Sequence, residues 1–190
     1  MNKPYFFEET YTGIDFTKYP FETGDYELCR FINCQLPKSE LSESSFIECR
    51  FEGCDLSMAK LYGTSIRDCV FSECKLIGLQ FDTCNNFSFS AEFHSCNLNL
   101  SSLFGIKLQN AIFNDCSLQE VDFTQADLKE THFENCDLAK ATFSATSLQK
   151  ADLSTSYNYS IDPELNDIKG AKFSLHGLPG LLDKYGIVIT

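Results

Sequence analysis

Residues 49–76 read CRFEGCDLSMAKLYGTSIRDCVFSECKL, and every fifth residue from Phe51 to Leu76 is large and apolar. A helix repeats its apolar face every 3.6 residues and a strand every two, so a period of five indicates a solenoid of short repeats. The same spacing extends far beyond this stretch in both directions. The large apolar positions are Phe16, Phe21, Tyr26, Phe31, Leu36, Leu41, Phe46, Phe51, Leu56, Leu61, Ile66, Phe71, Leu76 and Phe81, followed after a gap of twelve residues by Phe93, Leu98, Leu103, Leu108, Phe113, Leu118, Phe123, Leu128, Phe133, Leu138, Phe143, Leu148 and Leu153.

We call the large apolar residue of each repeat unit its centre. Each unit also has a small residue two positions before the centre. Cys54 precedes Leu56 in this way, and Ala126 precedes Leu128. The other three positions are mostly polar. Two inward positions separated by one outward position form a short extended stretch, and the polar pair that follows suits a turn. Each unit is therefore expected to form one side of a polygon.

A coil of twenty residues, or four units, sorts the phenylalanines from the leucines. With two extra residues allowed between Phe81 and Phe93, one column contains Phe31, Phe51, Phe71, Phe93, Phe113 and Phe133. The next column contains Leu36, Leu56, Leu76, Leu98, Leu118 and Leu138. The small residues before that column are Cys34, Cys54, Cys74, Cys96, Cys116 and Cys136. Such sorting predicts a coil with four sides.

The unit resembles that of the pentapeptide-repeat proteins, whose pattern is a small residue, a polar residue, Leu or Phe, and two variable residues. The resemblance covers roughly residues 6–155. It implies an all-β fold, a right-handed quadrilateral parallel β-helix, in agreement with the four-sided coil. We assign residues 1–15 to an N-terminal cap, 16–155 to the β-helix and 156–190 to a short helical capping and dimerisation module. Seven or so coils, spaced about 4.8 Å apart, predict a rod roughly 34 Å long.

The last thirty residues carry helix signals. Asp162 and Pro163 suit the N-cap and first position of a helix, and a second short helix is expected to end at Gly186 before an apolar strand. The run at 161–166 and the sequence GLLDKYGIVI at 180–189 resemble the C-terminal module of the quinolone-resistance and microcin-immunity branch. Relatives in that branch dimerise through this module, so the resemblance implies a homodimer. The expected interface residues are Leu178, Leu181, Leu182, Tyr185, Ile187 and Ile189.

Composition limits the possible partners. The net charge is −12, and Arg30, Arg50 and Arg67 are the only arginines among the 190 residues. A strongly acidic chain is a poor ligand for nucleic acid or an anionic membrane. The sequence shows no apolar export segment and no run long enough to span a membrane. We therefore expect a cytoplasmic protein that keeps its ten cysteines reduced, and the resemblance to the quinolone-resistance branch implies a bacterial one.

Cysteine and histidine give no sign of catalysis. Pairs such as Cys49 and Cys54 fall within zinc-like spacing, but that spacing is also the repeat itself. Packing of small residues in the core is therefore favoured over a metal site or redox chemistry. His94 and His132 flank centres and are expected to point outward from different coils. No nucleophile, base and orienting group occur together, so we expect no enzyme activity, metal or cofactor.

Two functions stay open. The related branch protects DNA gyrase and topoisomerase IV by presenting a DNA-like acidic rod, so the resemblance implies a topoisomerase-binding mimic. The alternative is an interaction scaffold with another partner. The acids expected on the binding surface are Glu48, Glu52, Asp55, Asp68, Glu73, Asp115, Asp122, Asp127 and Asp137. The long loops of Gram-negative relatives are reduced here to the slip at Asn85, Asn86 and Phe87, which is either a tolerated insertion or a partner-contacting loop.

Overall fold

The computed structural model describes residues 3–188, and it is a parallel β-helix of stacked coils. Its strands are β1 Tyr5–Phe7, β2 Thr10–Thr12, β3 Asp25–Glu27, β4 Arg30–Ile32, β5 Ser45–Ile47, β6 Arg50–Glu52, β7 Ser65–Arg67, β8 Cys69–Ser72, β9 Ala91–His94, β10 Ile112–Asn114, β11 His132–Glu134, β12 Asp152–Leu153 and β13 Lys172–Phe173. Four short 3-10 helices cover Phe81–Thr83, Asn86–Ser88, Leu175–Leu181 and Asp183–Tyr185. None of the helices in the described range is long and apolar enough to cross a membrane.

Each coil has four faces, which we number in chain order by their inward centres. Face 1 carries Tyr26, Phe46, Ile66, Leu108, Leu128 and Leu148. Face 2 carries Phe31, Phe51, Phe71, Phe93, Phe113, Phe133, Leu153 and Phe173. Face 3 carries Leu36, Leu56, Leu76, Leu98, Leu118 and Leu138. Face 4 carries Leu41, Leu61, Phe81, Leu103, Phe123 and Phe143. Most of these side chains are fully buried, which confirms the inward positions expected from the period of five.

The sheets follow the faces. Face 2 holds a nine-stranded sheet in the order β13-β12-β11-β10-β9-β8-β6-β4-β2, and face 1 holds a four-stranded sheet in the order β1-β3-β5-β7. Faces 3 and 4 are joined by single bridges such as Gln35 to Asp55 and Ser102 to Asp122. All pairings are parallel, with partners one coil apart. Nine passes across face 2 make a rod about 38 Å long at about 4.8 Å per coil.

The solenoid extends beyond both boundaries drawn from the sequence. Residues 5–12, assigned above to a cap, form β1 and β2 in full register with β3 and β4. At the other end, Leu153 pairs with Phe173. Phe6 and Tyr11 keep the inward spacing although the small residue is missing from their units, and their rings stack on Tyr26 and Phe31. The aromatic centre alone is therefore enough to continue the coil.

The phenylalanine column of face 2 is a continuous stack of rings. Ring centroids lie 4.7 Å apart between Phe31 and Phe51 and 5.0 Å apart between Phe113 and Phe133, with planes within 6° of parallel. The spacing widens to 5.4 Å between Phe71 and Phe93, where the two extra residues enter the coil. The stack nevertheless stays unbroken, because the slip is accommodated on face 1 and leaves the register of face 2 intact.

Nine of the ten cysteines, all except Cys84, donate a hydrogen bond from the thiol to a backbone carbonyl of the preceding coil. The thiol of Cys54 donates to the carbonyl of Phe31 at 3.2 Å, and the thiol of Cys116 donates to that of Phe93 at 3.4 Å. Thr131 makes the same bond to the carbonyl of Leu108 with its hydroxyl, at 2.7 Å. All ten cysteines are free and buried. Among residues 3–188, no three His, Cys, Asp or Glu side chains are placed to hold a metal ion.

We expect Cys116→Ser to retain more stability than Cys116→Ala. The serine hydroxyl can donate to the Phe93 carbonyl as Ser156 donates to that of Phe133, at 2.9 Å, whereas alanine leaves the buried carbonyl without this donor. One hydrogen bond of this kind contributes about 1 kcal/mol. Urea unfolding of both variants measures the difference. Equal losses of unfolding free energy would show that the thiol acts through packing alone.

The C-terminal segment covers the last coil. Leu175–Leu181 lies directly on Tyr159, and a Cβ atom added at Gly177 would fall 1.7 Å from the tyrosine Oη. The helix expected after Asp162 is only a turn, in which Asp162 Oδ1 accepts the N–H of Glu164 at 2.8 Å. The second helix is confirmed as two 3-10 pieces, and it ends at Gly186, whose φ of 58° is left-handed. Residues 187–188 form no strand, and residue 189 lies outside the described range.

Candidate protein-binding surface

Four of the acids expected on the binding surface instead hold the turns of the coil. Asp55, Asp122, Asp127 and Asp137 each stand immediately before a centre. In each of them Oδ1 accepts the backbone N–H two residues later, at 2.8–3.2 Å. An Asp side chain in such an Asx turn replaces a missing backbone partner. These aspartates lie on faces 1, 3 and 4, so the structure does not bring them together.

The other five acids divide between two faces. Glu48 and Asp68 lie at the corner that follows face 1, and both have left-handed φ angles, of 52° and 53°. Glu52, Glu73 and Asp115 lie on face 2 or at the corner directly after it. The nine acids expected from the sequence are thus spread over all four faces, and only three of them share face 2.

Face 2 and the corner directly after it carry one carboxylate on every coil from β6 to β12. Those carboxylates belong to Glu52, Glu73, Glu92, Asp115, Glu134 and Asp152. The sequence analysis missed Glu92, Glu134 and Asp152. Sorting the acids by the twenty-residue coil would have found them, because each stands next to a face 2 centre: Phe93, Phe133 and Leu153.

The two ends of this line of carboxylates are neutralised. Arg30 Nη2 lies 3.0 Å from Glu52 Oε1, and Lys172 Nζ lies 2.9 Å from Asp152 Oδ2. The hydroxyl of Ser154 and the ammonium of Lys172 lower the pKa of Asp152 to about 2. Asp152 therefore stays ionised far below neutral pH and is held in place by its partners.

The middle four carboxylates, Glu73, Glu92, Asp115 and Glu134, form what we call the acidic row. Within the described part of the chain none of them pairs with a lysine or arginine. Their contacts come from weaker donors: His94 lies 3.3 Å from Glu92, and Asn114 Nδ2 donates to Glu134 at 2.8 Å. The acidic row therefore presents uncompensated negative charge along the middle of face 2.

Some glutamates outside face 2 form ion pairs with lysine. Glu40 pairs with Lys60 on face 4 at 3.1 Å, and Lys140 and Lys150 pair with glutamates one coil earlier, at 3.6 and 2.8 Å. Exposed pairs of this kind add little stability, but they cancel charge. Three glutamates outside face 2 are thus neutralised by lysine, whereas Asp55, Asp122 and Asp127 have no lysine or arginine partner among the described residues.

The two-residue slip forms a small protrusion on face 1. Asn85 Oδ1 accepts the N–H of Phe87 at 3.2 Å and so starts the turn Asn86–Ser88. Phe87 is 97% exposed, whereas Phe89 is buried and packs edge-on against Phe81, with ring centroids 5.7 Å apart. Phe89 thereby fills the inward position of face 1 in this coil, and Phe87 remains the exposed aromatic residue of the loop.

The C-terminal residues expected to form a dimer interface are only partly exposed. Leu181 packs against the core, and Leu182 is half-buried. Leu178, Tyr185, Ile187 and Val188 are exposed at the end of the rod. Lys184 lies between them and bridges Asp162 at 2.7 Å and Glu164 at 2.8 Å. The apolar side chains that remain available are thus mainly those after residue 184.

Residues 21–88 and 86–153 match the family described as "Pentapeptide repeat region". The chain belongs to the pentapeptide-repeat family. No curated protein sequence matches it. Among solved structures, a trypsin-treated variant of QnrB1, described as a plasmid-mediated fluoroquinolone resistance protein, is 22% identical over 100% of this chain and 92% of its own, with a TM-score of 0.50.

A second similar structure is HetL, a pentapeptide-repeat protein involved in heterocyst differentiation regulation in the cyanobacterium Nostoc. It is 19% identical and covers 92% of this chain and 86% of its own, with a TM-score of 0.45. At these identities the likeness to QnrB1 shows the fold alone. The pentapeptide-repeat protein described here is accordingly a repeat scaffold with the architecture of that structure.

Proposed function

We propose that this pentapeptide-repeat protein is a non-enzymatic, cytoplasmic scaffold that binds a basic groove on a protein partner through the acidic row. The observation that carries the proposal is the line of four carboxylates without a lysine or arginine partner among the described residues, one on each of four successive coils along face 2 and the corner after it. DNA gyrase or topoisomerase IV is the proposed partner, because the DNA-binding surface of such an enzyme has to be basic.

The spacing of the acidic row suits a surface that binds a nucleic-acid strand. One carboxylate per coil gives about one charge per 4.8 Å of rod. Each strand of duplex DNA carries about one charge per 3.4 Å along the axis. A single face of this protein therefore offers a charge density about two thirds that of one DNA strand. We expect binding weaker than that of DNA and strongly reduced by salt.

The fold neighbour supports this choice of partner over others, since QnrB1 is described as a fluoroquinolone resistance protein and fluoroquinolones act on topoisomerases. The second candidate is a scaffold for a different basic protein. This second candidate is favoured because the long loops of the Gram-negative relatives are nearly absent here. The protrusion at 85–88 is a single short turn.

The deciding experiment is a gyrase supercoiling assay with purified protein, with and without a fluoroquinolone, over a salt series. Rescue or inhibition at micromolar protein that fades as salt rises supports mimicry of DNA by the acidic row. An effect that does not depend on salt contradicts the electrostatic mechanism. No effect at any dose or salt concentration removes gyrase as the partner and leaves the second candidate.

The same proposal includes a homodimer formed through the C-terminal end. Ile187 is 55% exposed and Val188 is 88% exposed, and neither contributes to the core. The variant carrying Ile187→Glu and Val188→Glu is therefore expected to be a folded monomer with half the mass of the native protein by light scattering. Leu100→Glu, at a side chain 56% exposed in the middle of the rod, is the control and should leave the mass unchanged. If light scattering shows that the native protein is already a monomer, the proposed homodimer is wrong.

A further inference from the structure

Face 1 has a regular ladder of backbone hydrogen bonds with one missing rung. The residue before each centre donates its N–H to a backbone carbonyl of the preceding coil, at 2.8–3.0 Å. The accepting residue stands two positions before the centre of that coil. The seven bonds are Asp25 to Pro4, Ser45 to Gly24, Ser65 to Ser44, Asn85 to Thr64, Asp127 to Ile106, Ser147 to Ala126 and Asp167 to Thr146. Lys107 occupies the same position in its coil, but its N–H donates to no described residue. Toward the following coil the pairing of Lys107 is regular, because Lys107 forms a parallel bridge with Asp127.

The slip explains the missing rung. Ser90 donates its N–H to Ile66 at 3.1 Å, and its Oγ accepts the N–H of Asp68 at 2.7 Å and donates to the Asp68 carboxylate at 2.8 Å. These bonds draw the slipped segment toward the coil before it. The coil after it, at Lys107 and Gln109, is left with an open edge. An open edge of this kind is a template for another extended chain.

A cleft of about 210 Å³ lies along this edge. Phe89, Leu108 and Ala111 line it with apolar surface, and Lys107 and Gln109 line it with the backbone of the open edge. Since a water molecule occupies about 30 Å³ of liquid, the cleft has room for one apolar side chain. Asp68 and Glu92 stand at the rim. Glu92 also belongs to the acidic row, so the cleft opens beside that row.

We propose that this cleft binds a short extended segment of a basic partner, which pairs with the edge at Lys107 as an added strand. The N–H of Lys107 donates to a carbonyl of the segment, and the carbonyl of Gln109 accepts one of its N–H groups. An apolar side chain enters between Phe89 and Leu108. A cationic side chain beside it meets Asp68 and Glu92. Strand addition of this type takes its affinity from main-chain bonds and its specificity from alternate side chains.

The inference rests on the proposed function only in requiring a basic partner, and it holds whether or not that partner is gyrase. A peptide assay therefore tests it separately from supercoiling. The probe is a capped five-residue peptide with leucine at the centre, threonine on either side and arginine at both ends. Two matched probes carry glutamate at the ends or glycine at the centre. Binding to the full-length protein is measured by amide chemical shifts in NMR titrations.

Lys107→Pro is the decisive variant, because it removes the free N–H without breaking a bond of the fold. Pro20 already occupies the position before a centre, Phe21, in the coil that contains β1 and β2. Lys107→Ala keeps the N–H and removes only the charge. Ser147→Pro, two coils later in the same column, removes an N–H that bonds the Ala126 carbonyl at 3.0 Å. We expect a melting temperature near the native value for Lys107→Pro and one at least about 4 °C lower for Ser147→Pro.

The arginine–leucine probe is expected to shift the amides around residues 68–70, 89–92 and 107–111. Lys107→Pro should weaken its binding at least about tenfold, while Lys107→Ala should strengthen it by removing a like charge. Either control probe should bind at least about tenfold less tightly. Unchanged binding to Lys107→Pro would overturn the added strand, and so would a Ser147→Pro variant as stable as Lys107→Pro. Absence of binding by the arginine–leucine probe at millimolar concentration would overturn the site itself.

Discussion

Phe113→Asp is expected to prevent folding altogether. Phe113 is fully buried, and its ring stacks on Phe93 and Phe133 with both centroid distances at 5.0 Å. A carboxylate there would have no cationic partner inside the column, and burying an unpaired charge costs several kcal/mol even after relaxation. The coils on either side would lose their stacking contacts as well. Total stabilities of 5–15 kcal/mol leave little margin for such a loss.

Phe113→Leu is the matched control. Leucine already occupies this column at Leu153, which pairs with Phe173 in the same register, so the variant should fold with an unfolding free energy lower by about 1–2 kcal/mol. Circular dichroism and thermal melts of both variants give the answer. A cooperative melt of Phe113→Asp near the native temperature would show that the face 2 column is not the closed core that its burial implies.

Neutralising the acidic row is expected to remove the effect on gyrase. The triple variant Glu73→Gln, Asp115→Asn and Glu134→Gln leaves the centres and the backbone bonds between coils untouched, since these side chains are exposed, and the new amide oxygens can still accept from Asn114 and Asn135. Each carboxylate facing a basic groove contributes mainly to steering and salt-dependent affinity. We expect the concentration for half-maximal effect to rise at least about tenfold, with a weaker dependence on salt.

The control for this variant is Glu40→Gln, Glu120→Gln and Glu130→Gln. It makes the same change in net charge, but each of these three glutamates lies away from face 2 and already pairs with a lysine. It should keep the effect on gyrase and the native melting temperature. Equal losses in the two variants would mean that total charge, and not the arrangement on face 2, governs binding. Such a result would contradict the acidic row as the docking surface.

The recurrence of a large residue every five positions was sufficient to predict the coil, the four faces and the phenylalanine column. The reason is local: every unit repeats the same inward and outward positions, so Phe51 and Phe71 meet without any long-range information beyond the coil length. The binding surface was harder to predict. Asp55 and Asp127 are acidic and outward like Glu73, but their carboxylates are committed to turns, and a list of acids does not distinguish the two roles.

The ends of the rod were beyond the reach of the pattern. Aromatic stacking alone carries Phe6 and Tyr11 into the first coil, although their units lack the small residue that the pattern requires.

The sequence by itself determined that this protein is a filled, four-sided β-helix with an acidic exterior, because a short exact period leaves only one way to bury its apolar positions. The tertiary structure decided which acids remain unpaired and where the ladder opens. Those outcomes depend on neighbours twenty residues away. Lys172 cancels Asp152, and the two extra residues of the slip are bound to the coil before them through Ser90, which leaves the N–H of Lys107 facing a cleft.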